Sequence, residues 1–265
     1  RLSQLCRKTS KSKVNSCAYL LLFFSGSRRI VLLGITGSGK SHLANTIFGE
    51  DLFTAHSSAK SGTVSRQNRS VNGRKLTVVD TPGFFYPESS EEELKQEILR
   101  CTTECAPGPH AFLLVFKMET FTEQEEEIIT KIEEYFSAEV FKFCVIVFTH
   151  DDQLSEDTKI ETHISKNKRL MEKCSGRCHV VDNKYWNNSQ QGDYRSNTFQ
   201  IKELFNSIDK IVELNNKGYY TSDMLQAVTT KLEKEKARLP PEESPQKAKE
   251  ALIDTARTKV IVIHQ

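Results

Sequence analysis

The chain has 265 residues, is 37% hydrophobic and 27% charged, and carries a formal net charge of +2. That composition suits a globular protein with a sizeable core, as one large α/β domain with an extension or as two small domains. A near-neutral charge gives no reason to expect nucleic acid as a partner, and no apolar run approaches the roughly 20 residues that span a bilayer.

Residues 1–27 read as a lead-in. They are basic and polar up to Lys13, apolar from Cys17 to Phe24 and small at Ser25-Gly26-Ser27. That order imitates a secretory signal peptide. The apolar run is too short to span a bilayer and a buried strand follows it at once, so a cytoplasmic protein is expected rather than an exported one. Ile30 to Leu33 read as a buried strand and Ser41 to Phe48 as a helix ended by Gly49. Asp51 to Arg69 is polar, contains Gly62 and shows no period, so it reads as a loop. Gln67 to Val71 and Lys75 to Val79 flank Asn72-Gly73, a strong hairpin signal.

Ser90 and Glu93 form a capping box before a helix running to about Glu104, and Pro107-Gly108-Pro109 breaks the chain. Ala111 to Phe116 is a wholly apolar strand. Thr122 and Glu125 cap a second helix, in which Ile128, Ile129, Ile132, Tyr135 and Phe136 recur at helical period. Phe143 to Phe148 is a further buried strand, Ile160 to Lys173 a helix and His179 to Val181 a short strand. Ile201, Leu204, Phe205, Ile208, Ile211 and Val212 mark another amphipathic helix. Short apolar strands alternating with such helices predict an α/β fold with a mainly parallel sheet, binding its ligand at the C-terminal strand ends. Tyr219 to Leu239 and Ser244 to Arg257 are charge-rich and helical in composition, separated by Pro240-Pro241. The expected division is therefore a lead-in (1–27), an α/β domain (28–225) and a helical, coiled-coil-like extension (226–265).

The seven cysteines are Cys6, Cys17, Cys101, Cys105, Cys144, Cys174 and Cys178. They contain no C-x-x-C pair and are odd in number, so free thiols in a reducing compartment are expected rather than a disulfide framework or a zinc site.

The chemistry centres on Gly34-Ile35-Thr36-Gly37-Ser38-Gly39-Lys40-Ser41, the full phosphate-loop pattern directly after a strand. Its glycines let backbone N–H groups turn onto a phosphate, and the following helix points its positive end at the same anion. Lys40 is expected on the β- and γ-phosphates and Ser41 on a magnesium ion. Asp80, at a strand end within Asp80-Thr81-Pro82-Gly83, suits the magnesium shell, and Gly83 can offer its N–H to the γ-phosphate. Thr63 lies in the loop between these motifs, where a hydroxyl joins magnesium only when the γ-phosphate is present. Asp152, in Thr149-His150-Asp151-Asp152, can accept two hydrogen bonds from guanine and would be left unpaired by adenine. Asn183 can contact guanine O6, with Trp186 or Tyr185 packing on the base.

The order G-I-T-G-S-G-K-S, Thr63, D-T-P-G-F-F, Pro107 to Val115, Phe121-Thr122-Glu123, F-T-H-D-D-Q-L and V-V-D-N-K resembles the immunity-associated nucleotide-binding GTPases, the GIMAP or AIG-type family. Gly218 to Met224 looks like that family's segment at the end of the domain. The resemblance covers roughly residues 28–225, and Pro107 to Val115 is its most specific part. It implies a Ras-like P-loop G domain that binds GTP and GDP with magnesium. It further implies a homodimer or oligomer formed through the nucleotide face, and a cytoplasmic scaffold or switch that associates peripherally with organelle membranes. Carried over residue by residue, Gly34, Thr36, Gly37, Ser38, Gly39, Lys40, Ser41 and His42 hold phosphate. Ser41, Thr63 and Asp80 serve magnesium, while His150, Asp152, Asn183 and Trp186 serve the base.

Two positions depart from a hydrolysing member. Phe84 follows Gly83, so no Gln stands there to orient water. Thr120 stands where the family resemblance implies an arginine finger, a group worth several orders of magnitude in rate. Slow or negligible hydrolysis is therefore expected, with Arg66, Arg69 and Arg100 as candidates for a substitute. Three readings stand at this point: a GTPase switch, a GTP-gated oligomeric scaffold that barely turns over, and a phosphate-loop ATPase or kinase.

Overall fold

Strand β1 (Arg28–Leu33) is the axis on which the other elements are hung, and Ile30, Val31, Leu32 and Leu33 have no solvent exposure. The structure is a computed structural model that describes residues 27–54, 64–83, 91–117, 123–149, 168–182, 194, 196–238 and 245–258. On either side of β1 lie β3 (Arg74–Asp80) and β4 (Ala111–Lys117), both parallel to it. Beyond β4 come β5 (Cys144–Thr149) and β6 (Cys178–Val181), again parallel. The hairpin partner β2 (Ser65–Val71) is antiparallel and closes the other edge, giving the order β2-β3-β1-β4-β5-β6. This is the mainly parallel sheet of a Ras-like P-loop domain. Its connection fits the sequence: Asn72 and Gly73 both take left-handed φ, 48° and 77°, as a two-residue hairpin turn of this hand requires.

Burial follows strand position. All of β4 from Ala111 to Phe116 is buried, because a central parallel strand is covered on both faces, whereas edge strand β2 keeps mostly polar, exposed residues. Helix α1 (Lys40–Phe48) and α2 (Glu91–Cys105) pack on β3, and α2 also on β1. Helix α3 (Glu123–Phe136) is followed by a 3-10 turn (Ala138–Phe143) that sequence periodicity did not signal, being too short to show a period. The turn nonetheless buries Val140 and Phe141. Of the helix expected over Ile160 to Lys173, α4 (Lys168–Lys173) is described; the remainder lies outside the described residues. Ser90 and Thr122 also lie outside them, and α2 and α3 begin at the residues that directly follow each.

Helix α5 (Asn197–Leu214) packs on β4, β5 and β6 and starts a turn earlier than its apolar stripe suggests. The reason is chemical. The buried residues of its first turn are the amides Asn197 and Gln200, which bond to backbone and leave no hydrophobic period. Helices α6 (Asp223–Arg238) and α7 (Pro245–Thr258) pack on each other and on α2. Val228, Leu232 and Leu252 form a small separate cluster there, against Leu99 and Ala106. Buried Lys249 donates to Glu104 of α2 at 2.7 Å, and Arg66 of β2 approaches the same carboxylate at 3.6 Å.

At the N-terminal ends of the strands, Pro107 to His110 meets the segment after α5. The Tyr220 N–H donates to the Pro109 carbonyl at 2.8 Å, and the Arg29 guanidinium donates to the Gly108 carbonyl at 2.5 Å. His110 Nδ1 accepts from the Arg29 N–H at 2.9 Å. Tyr220 is buried among Phe112, Phe136 and Phe143. Among the described residues the five cysteines are free thiols, and no helix is long and apolar enough to cross a membrane.

Candidate functional site

The opposite, C-terminal ends of the strands carry the phosphate loop. It leaves β1 at Gly34 and turns into α1 through Gly39, whose φ of 87° and ψ of 15° are left-handed; a side chain there would be strained. The Lys40 side chain turns back under the loop. Its ammonium is buried and donates to the Gly34 carbonyl at 3.1 Å and to the Ile35 carbonyl at 2.8 Å. Burial pushes this ammonium down to about 8, against the opposing pull of the Asp80 carboxylate.

Ser41 is the next residue on α1. Its hydroxyl donates to Asp80 Oδ2 at 2.6 Å, joining the first turn of α1 to the end of β3. A hydroxyl and a carboxylate in contact are the hard oxygen donors that magnesium takes, so these residues fit that ion. Thr81 fixes the same strand end by donating to the Leu32 carbonyl of β1 at 2.6 Å. Three residues after Asp80, Gly83 lies against the phosphate loop. A Cβ at Gly83 would stand 2.5 Å from the Thr36 backbone nitrogen, so only glycine lets the two segments approach this closely.

The loop is also held from below. Thr149, the last residue of β5, is fully buried; its hydroxyl donates to the Ser38 carbonyl at 2.8 Å and lies 3.2 Å from the Phe116 carbonyl. The sequence had offered Thr149 only as the first letter of T-H-D-D. Its position at the end of an apolar strand, where a hydroxyl faces the neighbouring strand-end loop, was the available signal.

The structure thus brings together Gly34, Thr36, Gly37, Ser38, Gly39, Lys40, Ser41, Asp80 and Gly83. His42 follows Ser41 in the first turn of α1. It is exposed on α1 and lines a cleft of about 940 Å³ between α1 and α5, with Asn45, Phe48, Arg74 and Phe205. Thr63, His150, Asp152, Asn183 and Trp186 lie outside the described residues, as do Phe84 and Thr120. Of the last two base positions, the residue before Asn183 is described: Asp182 is buried at the end of β6.

The model of the AIG1 family matches residues 28–238. Immune-associated nucleotide-binding protein 7 of Arabidopsis thaliana is 32% identical over 218 residues, which is 78% of this chain and 68% of that protein. GTPase IMAP family member 8 of Mus musculus is 31% identical over 190 residues, 68% of this chain but 27% of that protein. The chain therefore spans about a quarter of the length of this second relative. Among solved structures, Toc33 from Arabidopsis thaliana in complex with GDP and Mg2+ has a TM-score of 0.57 at 18% identity, covering 72% of this chain and 89% of that one. A second, from work on dimerization and the GTPase activity of the chloroplast translocon components atToc33 and psToc159, has a TM-score of 0.59 at 19% identity, covering 72% and 88%. At that identity the structural likeness speaks for the fold, and the family assignment stands on the match over residues 28–238: the chain belongs to the AIG1 family.

Proposed function

We propose that this chain is a guanine-nucleotide-binding protein, a GTP-dependent switch or scaffold with slow hydrolysis. The observation that carries the reading is the Lys40 ammonium. It is buried inside a glycine-rich loop at a strand end, bonded to two neutral carbonyls, where a polyphosphate would give it a far stronger partner. Main-chain amides of Gly37 to Ser41 and the N-terminus of α1 add to the attraction for phosphate. Ser41 and Asp80 would hold magnesium, which when bound supplies positive charge against the β- and γ-phosphates. Thr63 and Gly83 would sense the γ-phosphate. Asp152 and Asn183, with His150 and Trp186 beside them, would select guanine.

Slow turnover follows from Phe84, which has no polar group to orient water, and from Thr120, which has no cation to supply. A homodimer through the nucleotide face is proposed from the family and from the dimerization of the translocon GTPases named above. The working place is the cytoplasm, at the surface of an organelle membrane.

Mass spectrometry of the nucleotide that co-purifies, followed by titration with GDP and magnesium, tests the central claim. Bound GDP or GTP is the expected result. Protein that emerges empty and ignores both nucleotides overturns it. Asp152→Asn should move preference from guanine toward xanthine, and unchanged GTP binding there would refute the base assignment. Particle size with GDP against a slow GTP analogue reads the dimer.

A further inference from the structure

Strand β2 ends the sheet, and among the described residues nothing pairs with its outer edge. The hairpin fixes which of its backbone groups face that way. The two-residue turn at Asn72-Gly73 makes Val71 and Arg74 a hydrogen-bonded pair, and such pairs alternate with non-bonded ones along an antiparallel ladder. Ser65, Gln67, Arg69 and Val71 therefore bond to β3. Arg66, Asn68 and Ser70 turn their N–H and C=O groups outward. The Arg69 side chain agrees with this assignment, because its guanidinium donates to the outward Asn68 carbonyl at 2.8 Å. Asn68, Arg69 and Ser70 are all exposed.

The charge on this edge is of one sign. From Ser65 to Lys75 the hairpin carries Arg66, Arg69, Arg74 and Lys75, and no carboxylate. The acids that approach from elsewhere compensate the edge cations weakly. Glu104 is shared by Arg66 at 3.6 Å and Lys249 at 2.7 Å. Glu50 reaches Arg69 at 3.7 Å, with side chains 60% and 44% exposed, and an ion pair so exposed is worth little. Lys75 is exposed on β3, opposite Ser70.

A bare strand edge is a template for another strand, and its charges choose which. A second copy of β2 would bring Arg66 and Arg69 against their own kind and supply no carboxylate, which is unfavourable. A strand that carries carboxylates satisfies the outward backbone groups and the cations together. We propose that the outer edge of β2 is a docking site for an extended acidic segment of a partner protein, which adds to the sheet as a strand and sets a carboxylate against Arg69. The inference does not rest on the nucleotide reading.

The probe is a capped peptide of alternating valine and glutamate, about eight residues long to match a strand, titrated into the full chain. It should bind with a Kd below about 1 mM. Amide hydrogen exchange at saturation should slow about tenfold or more at Arg66, Asn68 and Ser70. Gln67 and Arg69, whose N–H groups already bond to β3, should change much less. A peptide of alternating valine and lysine should not bind. Arg69→Glu should weaken the acidic peptide about tenfold, and Arg69→Lys should retain most of its affinity. Ser70→Pro deletes one outward N–H while leaving the ladder to β3 intact, and should weaken it by a similar factor.

Absence of binding up to about 1 mM, equal binding of the two peptides, or protection confined to residues other than Arg66, Asn68 and Ser70 overturns the proposal. So does wild-type affinity in both Arg69→Glu and Ser70→Pro. If Ser70→Pro does not fold, wild-type affinity in Arg69→Glu overturns it alone. A dimer of the wild-type chain that Ser70→Pro dissociates would give the edge to a second copy and overturn the acidic partner.

Discussion

The two ends of the sheet hold their polar groups for opposite purposes. At the C-terminal ends, Lys40 is bonded to loop carbonyls and its proton is held at about 8, within reach of a change of partner. At the N-terminal ends, burial and then the charges of Arg29 and Arg28 push His110 down to about 3. Its neutral Nδ1 is committed to the Arg29 N–H. That group does not titrate in any physiological range. The first end is built to exchange partners and the second to keep them. The stretch Pro107 to Val115 begins at the second end. Its first residues do no nucleotide chemistry; they fasten the segment after α5 to the bottom of β1 and β4.

The sharpest way to break that contrast is at Gly108. A Cβ there would lie 2.6 Å from the Tyr219 ring and closer still to the Tyr220 carbonyl oxygen. Gly108→Ala should cost about 3 kcal/mol of unfolding free energy in a urea titration, as an overpacked site with backbone on the other side. The affinity for GDP of the folded fraction should stay at the wild-type value. A variant that keeps its stability but loses nucleotide would mean that the two ends are not separate. Lys40→Ala should do the reverse. Its GDP affinity should fall about a hundredfold or more, roughly 2.7 kcal/mol, in a fluorescent-nucleotide titration. Circular dichroism should be unchanged.

The two ends also differ in how legible they were in the sequence. Ile30 to Ser41 and Asp80 to Gly83 could be read outright, because phosphate chemistry demands fixed residue types at fixed spacing. The strands were equally plain, as with β4, whose unbroken apolar run has no other soluble use than a doubly covered position. What the pattern could not give were polar side chains whose meaning lies in a distant partner. Thr149 bonds to Ser38, 111 positions away in the chain, and its place at the end of an apolar strand marks it without naming that partner. Asn197 and Gln200 are buried in the first turn of α5 and so delayed its expected start. His110 likewise reads as an ordinary histidine until its bond to Arg29 across two strands is seen. The 3-10 turn at Ala138 escaped for a simpler reason: its six residues are too few for a period to repeat recognisably.

Thr149 sharpens the comparison within the exchanging end, because it is a permanent strut beneath a changeable loop. Thr149→Val keeps the shape and removes the only donor to the Ser38 carbonyl that the side chain supplies. The release rate of a fluorescent GDP should rise about tenfold, close to 1.4 kcal/mol, with Thr149→Ser restored nearly to wild type. Equal release from all three proteins would show that the loop holds its form without the strut.

The smallest expected effect is the most diagnostic of Lys40, since its sign is fixed by proton linkage. Polyphosphate favours the charged ammonium, so binding raises the Lys40 pKa above the value of about 8 that burial sets in the free protein. Below pH 7 the Lys40 ammonium is charged in both states and adds no slope of its own. Above pH 8 each binding event must take up a proton, so affinity falls as pH rises. Between pH 7.5 and 8.5 the charged fraction of the free protein drops about threefold, and the apparent Kd for GDP should rise by the same factor. His110, held neutral throughout, contributes nothing to that slope. In Lys40→Met the slope should vanish along with most of the affinity. A wild-type Kd that is level across this interval would mean that the Lys40 proton is not linked to phosphate at all, and the exchanging end would lose the property that sets it apart from the other.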